Sequence, residues 1–205
     1  MGGKAKDRRE NIWKPYLKEN KDRLINWALK RGIVNHIPTD PDALDFLVAE
    51  VFSRVEQVKA LKEKFGKGVL FRQMPLKYHY DMEVIVSGST QAYEGKFRCY
   101  DSTLPTSDIT KKKTDYDECK NCPYPVYFIN VSYDDKVRCW DMFDENVTAS
   151  TWTHSEKTAV DGKEITEECL KYPNDKPLWE FTVSNLNPLM NEYKTTTTYD
   201  KQSNS

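Results

Sequence analysis

The sequence predicts an α/β (α+β) protein in which a mixed central sheet is flanked by helices. Three observations lead to this class: a long amphipathic helix, a two-stranded hairpin that follows it, and a series of short β segments after the hairpin. The chain has 205 residues, of which 38% are hydrophobic, enough for one domain with a substantial core. We expect a basic N-terminal helical region over residues 1–38, an α/β domain over 39–190 and a disordered tail over 191–205.

The N-terminal region is the basic part of a chain whose net charge is only -1. Residues 1–36 contain ten Lys or Arg and four Asp or Glu, a balance of +6 that leaves -7 for the remainder. Apolar residues at helical spacing predict a helix from about Glu10 to Lys30. Its basic face could follow a phosphate backbone; the alternative is a solvated helix that packs on the core. The candidate nucleic-acid contacts are Lys14, Lys18, Arg23, Lys30, Arg31 and, in a later polar loop, Lys111, Lys112 and Lys113.

The clearest amphipathic helix of the chain is predicted from Asp42 to Phe65. Thr39 and Asp40, followed by Pro41, form a helix start signal, and Gly66 is a stop signal. Between them, apolar residues recur at steps of three and four, namely Leu44, Leu47, Val48, Val51, Val55, Val58 and Leu61.

A short strand at Val69–Phe71 is followed by a predicted β-hairpin over Tyr78–Tyr100. In its first strand, apolar residues alternate with Asp81 and Glu83, which places the acids opposite the core face. Ser87-Gly88-Ser89 has turn chemistry, and the return strand carries Glu94-Gly95-Lys96. Residues two apart in a strand project from one face, so we expect Glu94 and Lys96 side by side on a face that is not packed. The alternative is a surface hairpin with a cross-strand ion pair.

This order of helix, strand, acidic strand, turn and Glu-x-Lys strand resembles the core of the PD-(D/E)XK nuclease superfamily, the restriction-endonuclease-like fold. The resemblance covers about Asp42 to Met142. Asp81 matches the family's Asp, Glu94 and Lys96 match its Glu-x-Lys, and Glu50 matches the acid that many members carry on the preceding helix. Tyr80 stands where the family often has Pro, and Glu83 could replace Asp81 as the metal ligand.

The resemblance implies a Mg²⁺-dependent (or Mn²⁺-dependent) endonuclease that hydrolyses phosphodiester bonds of double-stranded DNA by metal-activated water, of the restriction or phage recombination and repair type. Asp81, Glu94 and Glu50 would bind the metal, hard oxygen ligands of the kind that Mg²⁺ prefers, and Lys96 would assist. Cutting both strands with one site per chain requires two-fold symmetry, so a homodimer is expected. The alternative function is a non-catalytic nucleic-acid- or protein-binding module on the same α/β core.

Beyond the hairpin, the segment from Asp101 to Asp117 is predicted to be a polar loop. Strong strands are predicted at Pro125–Val131 and Val137–Met142. From Asp144 onward, short β segments at Thr148–Thr153 and Leu178–Val183 indicate a β-rich extension of the central sheet.

Five cysteines and the absence of an apolar signal region argue against a disulfide framework. Cys119-x-x-Cys122 is half of a zinc site, and Cys99 and Cys139 are the nearest candidates for the other half. Because a second Cys-x-x-Cys or Cys-x-x-His is missing, structural zinc is not expected. No run of eighteen apolar residues occurs, so a soluble, cytoplasmic protein without a membrane span is expected.

Overall fold

A computed structural model of the chain describes residues 9–98, 106–109, 113–132, 136–144, 150–157 and 164–183. These residues form a mixed α/β architecture in which N-terminal helices pack on an open, six-stranded mixed sheet. A second sheet of three strands accompanies it. The α/β class is therefore confirmed, while the predicted tail over 191–205 lies outside the described residues.

The N-terminal region is helical but is divided into short pieces. A π-helical turn, Arg9–Trp13, leads into α1 (Lys14–Glu19) and α2 (Lys21–Lys30), and the predicted single helix is interrupted at Asn20. The Asn20 side-chain amide donates to the carbonyl of Tyr16 at 3.0 Å, capping α1. The apolar face of α2 is buried at Leu24, Ile25 and Ala28. These three residues bear out packing of this helix on the core.

The long helix, α3 (Pro41–Phe65), forms where it is predicted. The Asp40 carboxylate accepts a hydrogen bond from the backbone N–H of Ala43 at 2.8 Å, which caps the first turn. Gly66 ends the helix with φ of 85°, a left-handed conformation that glycine adopts without strain. In the described ranges, no helix combines the length and apolar character that crossing a membrane requires.

The central sheet joins six strands in the order β1-β2-β3-β5-β6-β9. Their bounds are β1 Leu70–Gln73, β2 Met82–Val86, β3 Ser89–Arg98, β5 Val126–Ser132, β6 Lys136–Asp141 and β9 Trp179–Thr182. Only β3 and β5 pair in parallel, and the other neighbours in this sheet are antiparallel. Helix α4 (Lys113–Cys119) lies in the connection between β3 and β5, as parallel neighbours need a crossover.

The second sheet corrects two expectations. It contains β4 (Thr106–Ile109), β7 (Ser150–Lys157) and β8 (Glu164–Pro173) in the order β4-β8-β7. The segment predicted to be a polar loop therefore holds β4 and the beginning of α4. The C-terminal β segments do not simply extend the central sheet, because among the described C-terminal strands only β9 joins it. Strand patterns predict which residues form strands, but the pairing partner depends on distant parts of the chain.

The predicted hairpin is confirmed as β2 and β3. Ser87 and Gly88 have φ of 51° and 83°, and positive φ at both central positions is typical of the two-residue turns that match the twist of paired strands. The register pairs Met82 with Tyr93 and Glu83 with Ala92.

Both faces of the central sheet are covered. The face that packs on α3, which we call the helix face, buries residues that include Leu47, Val51, Met82, Val84, Ile129 and Cys139. The opposite face, the far face, has its own buried cluster, which includes Tyr80, Ala92, Phe128, Trp140 and Tyr172. The acidic side of the hairpin is therefore part of a second core and not an open surface.

Gly95 marks the closest approach of β3 to α3. A Cβ atom added at Gly95 would lie 2.5 Å from the Gln57 side chain and 2.7 Å from Ile129. We predict that Gly95→Ala lowers the free energy of unfolding by about 1–3 kcal/mol through overpacking, as measured by urea denaturation. Gly68→Ala is the matched control, because an added Cβ there meets no atom within 4 Å. Equal stability of the two variants would contradict this account.

Candidate acidic site

A buried arginine lies at the centre of the acidic region on the helix side. Only 1% of the Arg54 side chain is exposed, and a buried guanidinium requires partners for its charge and its donors. Its Nη1 donates to the carbonyl oxygens of Met74 and Asp81 at 2.6 and 3.0 Å. Its Nε lies 3.2 Å from Glu50 Oε1, and its Nη2 lies 3.1 Å from Asp81 Oδ1. Arg54 therefore joins α3 to the segment that connects β1 and β2.

The Asp81 carboxylate is held by three donors on the helix side of the sheet. Besides Arg54, Asp81 Oδ2 accepts from Gln57 Nε2 at 3.2 Å and from the backbone N–H of Gly95 at 3.0 Å. Gln57 in turn donates to Ser53 Oγ. These bonds tie the start of β2 to both β3 and α3, which gives Asp81 a structural role.

The surrounding carboxylates keep Arg54 charged. Burial alone would lower the pKa of Arg54, but the negative charges of Asp81, Glu50 and Glu94 outweigh burial and raise that pKa above its ordinary value. Charge attraction of this kind favours the ionised form of a buried group. The arginine is thus a permanent cation beside Asp81 and Glu50.

Glu94 and Lys96 project from the far face. A Cβ atom added at Gly95 would face Gln57 and Ile129 on the helix face. The side chains of its two neighbours in the strand must therefore project from the opposite face. The register agrees, since Glu94 is paired with Phe128 of the far-face cluster and Lys96 with Asn130. The expectation that this face is unpacked is wrong for Glu94, of which only 6% is exposed.

Glu83 shares the far face with Glu94 and Lys96. It accepts a hydrogen bond from the Tyr80 hydroxyl at 2.9 Å and forms an ion pair with Arg72 of the neighbouring strand. Burial and this hydrogen bond raise the pKa of Tyr80 above its ordinary value. Because Glu83 pairs with Ala92, Glu94 is its diagonal neighbour, within reach for long side chains.

The four candidate acids are therefore divided between the two faces. Glu50 and the Asp81 carboxylate pair with Arg54 on the helix side. Glu83 and Glu94 project from the far face, although the charge of Glu94 still acts on Arg54. Among the residues that the structure describes, no group of three His, Cys, Asp or Glu side chains could hold a metal ion. Mg²⁺ is often held by one or two carboxylates with waters and substrate oxygens, so a pair of acids has the right donor chemistry.

The basic candidates of the N-terminal region do not lie beside Glu94 and Lys96. Helix α2 packs on α3 through the helix-face core, which puts the central sheet between α2 and the far face. Most of these basic candidates are exposed, namely Lys14, Lys18, Arg23 and Lys30, and Arg31 is half-buried. Lys111 and Lys112 lie outside the described residues, and Lys113 begins α4 with no side chain described.

The three cysteines whose side chains the structure describes, Cys119, Cys122 and Cys139, do not come together around one point. Cys119 belongs to the far-face cluster, and its thiol donates to the carbonyl of His79 at 3.1 Å. Cys139 belongs to the helix-face core, where burial raises the pKa of its thiol. Since the sheet separates them, Cys139 cannot complete a zinc site with Cys119 and Cys122. Cys99 lies outside the described residues.

Sequence reasoning missed the residues that organise this region. The candidate residues predicted from the sequence do not include Arg54 and Gln57, although Glu50 and Arg54 have the i, i+4 spacing of a helical ion pair. That spacing, together with an arginine inside an apolar helix face, is a sequence signal for a buried ion pair. Tyr80 offered a weaker one, as the aromatic residue directly before Asp81.

Comparison with known protein families, with curated proteins and with solved structures found no match for this chain.

We predict that Arg54→Met lowers the free energy of unfolding by about 3–5 kcal/mol, because it leaves buried carboxylate charge uncompensated. Chemical denaturation measures the change. Arg23→Met is the control, an exposed arginine on α2 whose loss should cost less than about 0.5 kcal/mol. Adding Asp81→Asn to Arg54→Met should recover part of the loss. An Arg54→Met protein as stable as the control would show that the network contributes little.

Proposed function

We propose that this chain is a metal-dependent nuclease that hydrolyses phosphodiester bonds of DNA, with its acidic site on the far face of the central sheet. The observation that carries the proposal is the placement of Glu83, Glu94 and Lys96 on one face of the β2–β3 hairpin. Two buried acids and a half-buried lysine are the residue types that this chemistry uses. The proposal favours Glu83 over Asp81 as the acid of β2.

The order of elements supports the proposal. The central sheet and its helices are formed in the order of a long helix, three antiparallel strands, a short helix and a strand parallel to the third, namely α3, β1, β2, β3, α4 and β5, with β4 of the second sheet inserted between β3 and α4. That order agrees with the resemblance to the PD-(D/E)XK nucleases drawn from the sequence. Proteins of one fold can have different functions, so the proposed activity depends on the chemistry of the site residues.

Each residue of the proposed site has a distinct chemical role. Glu83 and Glu94 offer hard carboxylate oxygens for Mg²⁺ or Mn²⁺. A divalent ion held by these carboxylates would supply a water of lowered pKa and would stabilise charge on a phosphoryl oxygen. Lys96, two residues from Glu94, can neutralise the scissile phosphate or orient the attacking water. Arg72 is 47% exposed beside Glu83 and can bind an adjacent phosphate of the strand.

Asp81 and Glu50 have a supporting role in this proposal. Their charges are compensated by Arg54, so they hold the start of β2 against α3. In this way they position Glu83, two residues further along the chain, without contacting the substrate.

A second candidate is a non-catalytic nucleic-acid- or protein-binding module. One observation favours it: Asp81 and Glu83 already have cationic partners, Arg54 and Arg72. In that case the acids serve only to hold the sheet and helix together. Addition of a divalent ion then leaves the melting temperature unchanged, whereas a site that binds the ion in the folded state raises it.

We expect the protein to nick supercoiled plasmid DNA in the presence of Mg²⁺ or Mn²⁺ and to lose this activity in EDTA. Glu83→Gln, Glu94→Gln and Lys96→Met should each reduce nicking by about 100-fold or more, beyond the usual cost of disturbing a residue that only supports a ligand. Gln and Met preserve side-chain size, so the variants avoid cavities in the buried far face.

Glu63→Gln and Lys67→Met are the matched controls, since both residues are exposed near the end of α3 and should keep the parental rate. Asp81→Asn should lower thermal stability more than Glu83→Gln. Parental nicking rates in the Glu83 and Glu94 variants would refute the assignment of the site.

We further expect a two-fold homodimer on double-stranded DNA, because one site per chain cuts one strand at a time. Analytical ultracentrifugation with a short duplex should give two chains per duplex. A single chain per duplex, together with double-strand cleavage, would contradict this prediction.

A further inference from the structure

A cleft opens between the N-terminal helices, α3 and β3. Its volume is about 740 Å³, within the range of about 300–1,000 Å³ that is typical of small-molecule sites. Apolar side chains form much of its lining, namely Trp13, Leu17, Val48, Ala49, Phe52 and Phe97. The cleft lies on the helix side of the sheet and is separate from Glu83, Glu94 and Lys96.

The interior of the cleft suits hydrocarbon and not a nucleobase. Trp13, Phe52 and Phe97 pack on one another with ring centroids 4.9–5.1 Å apart, and Trp13 and Phe52 are only 7% and 4% exposed. The three rings thus pack in tilted and edge-to-face contacts and form an apolar wall of the cleft. Ser53 is a polar residue of the lining, and its Oγ already accepts from the Phe97 N–H and the Gln57 amide. Base recognition requires stacking or hydrogen-bonding edges.

The rim of the cleft is positively charged. Lys14, Lys18 and Lys21 line it together with one acid, Asp45. Lys14 pairs with Glu10 at 2.7 Å and Lys21 pairs with Asp45 at 3.4 Å. In both pairs the side chains are at least one third exposed, and ion pairs in such positions are weak. An anionic group can therefore compete for these lysines.

We propose that the cleft binds a free amphipathic anion, a molecule with a hydrocarbon body and a single carboxylate head. The body lies against the aliphatic and aromatic lining, and the head meets the lysines at the rim. A free molecule can enter this concavity, whereas the flat surface of a bilayer cannot reach residues as buried as Phe52. This site does not depend on the nuclease proposal.

The probes are decanoate and decyltrimethylammonium, which share a ten-carbon chain and differ in the charge of the head. Titration calorimetry and Trp fluorescence, performed below micelle-forming concentrations, should give one decanoate per chain. We expect decanoate to bind at least ~10-fold more tightly than decyltrimethylammonium, because the rim charge favours an anion.

Two variants and one control localise the site. Ala49→Trp should abolish binding by filling the cleft, and Lys18→Glu should weaken decanoate binding by ~10-fold or more. Lys30→Glu makes the same charge change at an exposed position that does not line the cleft and should leave binding unchanged. Lys18 is itself exposed, so its variant tests the site even where Ala49→Trp disturbs folding.

Three results with these probes and variants would each overturn the proposal. They are the absence of decanoate binding, equal binding of both probes, and equal weakening by Lys18→Glu and Lys30→Glu. Adenosine monophosphate is the competitor for a nucleotide site, and its displacement of decanoate at lower concentration would also overturn the proposal.

Discussion

The burial of one permanent cation constrains the arrangement of this protein. Arg54 cannot be left in the core without partners, and its partners come from three places: Glu50 on the same helix, the carbonyl of Met74 after β1, and Asp81 before β2. The guanidinium thus fixes the distance and rotation of α3 relative to the first strands. Replacement by an apolar side chain could fill the space but could not bond to both carbonyls.

As a consequence of this arrangement, the two faces of the central sheet hold different features. The helix face holds the larger core, the Arg54 network and the cleft beside the N-terminal helices. The far face holds a smaller core and the polar residues of the hairpin. Gly95 makes the division possible, because the absence of a side chain allows Gln57 to approach β3 and bond to Asp81.

The parts of the fold that follow from local patterns could be predicted from the sequence. Helix α3 begins one residue from its predicted start and ends at Phe65, because caps and apolar periodicity lie in one continuous segment. The hairpin turn could also be predicted, because Ser87-Gly88-Ser89 has local turn chemistry. By contrast, the second sheet and the burial of Glu94 depend on which distant segments pair and what covers them. The turn of the Asp81 side chain toward Gln57 could not be predicted either, since strand alternation places Asp81 on the same face as Glu83.

The single parallel pair in the central sheet has a consequence for the order in which the chain folds. The hairpin β2–β3 joins residues that are close in sequence, whereas the pairing of Ala92 with Val126 closes a much longer loop. Closing longer loops costs more chain entropy, and distant pairings slow folding. The segment between the paired residues Cys139 and Trp179 contains β7 and β8 of the second sheet. We therefore expect the hairpin to form early during synthesis and the edge strand β9 to complete the sheet last.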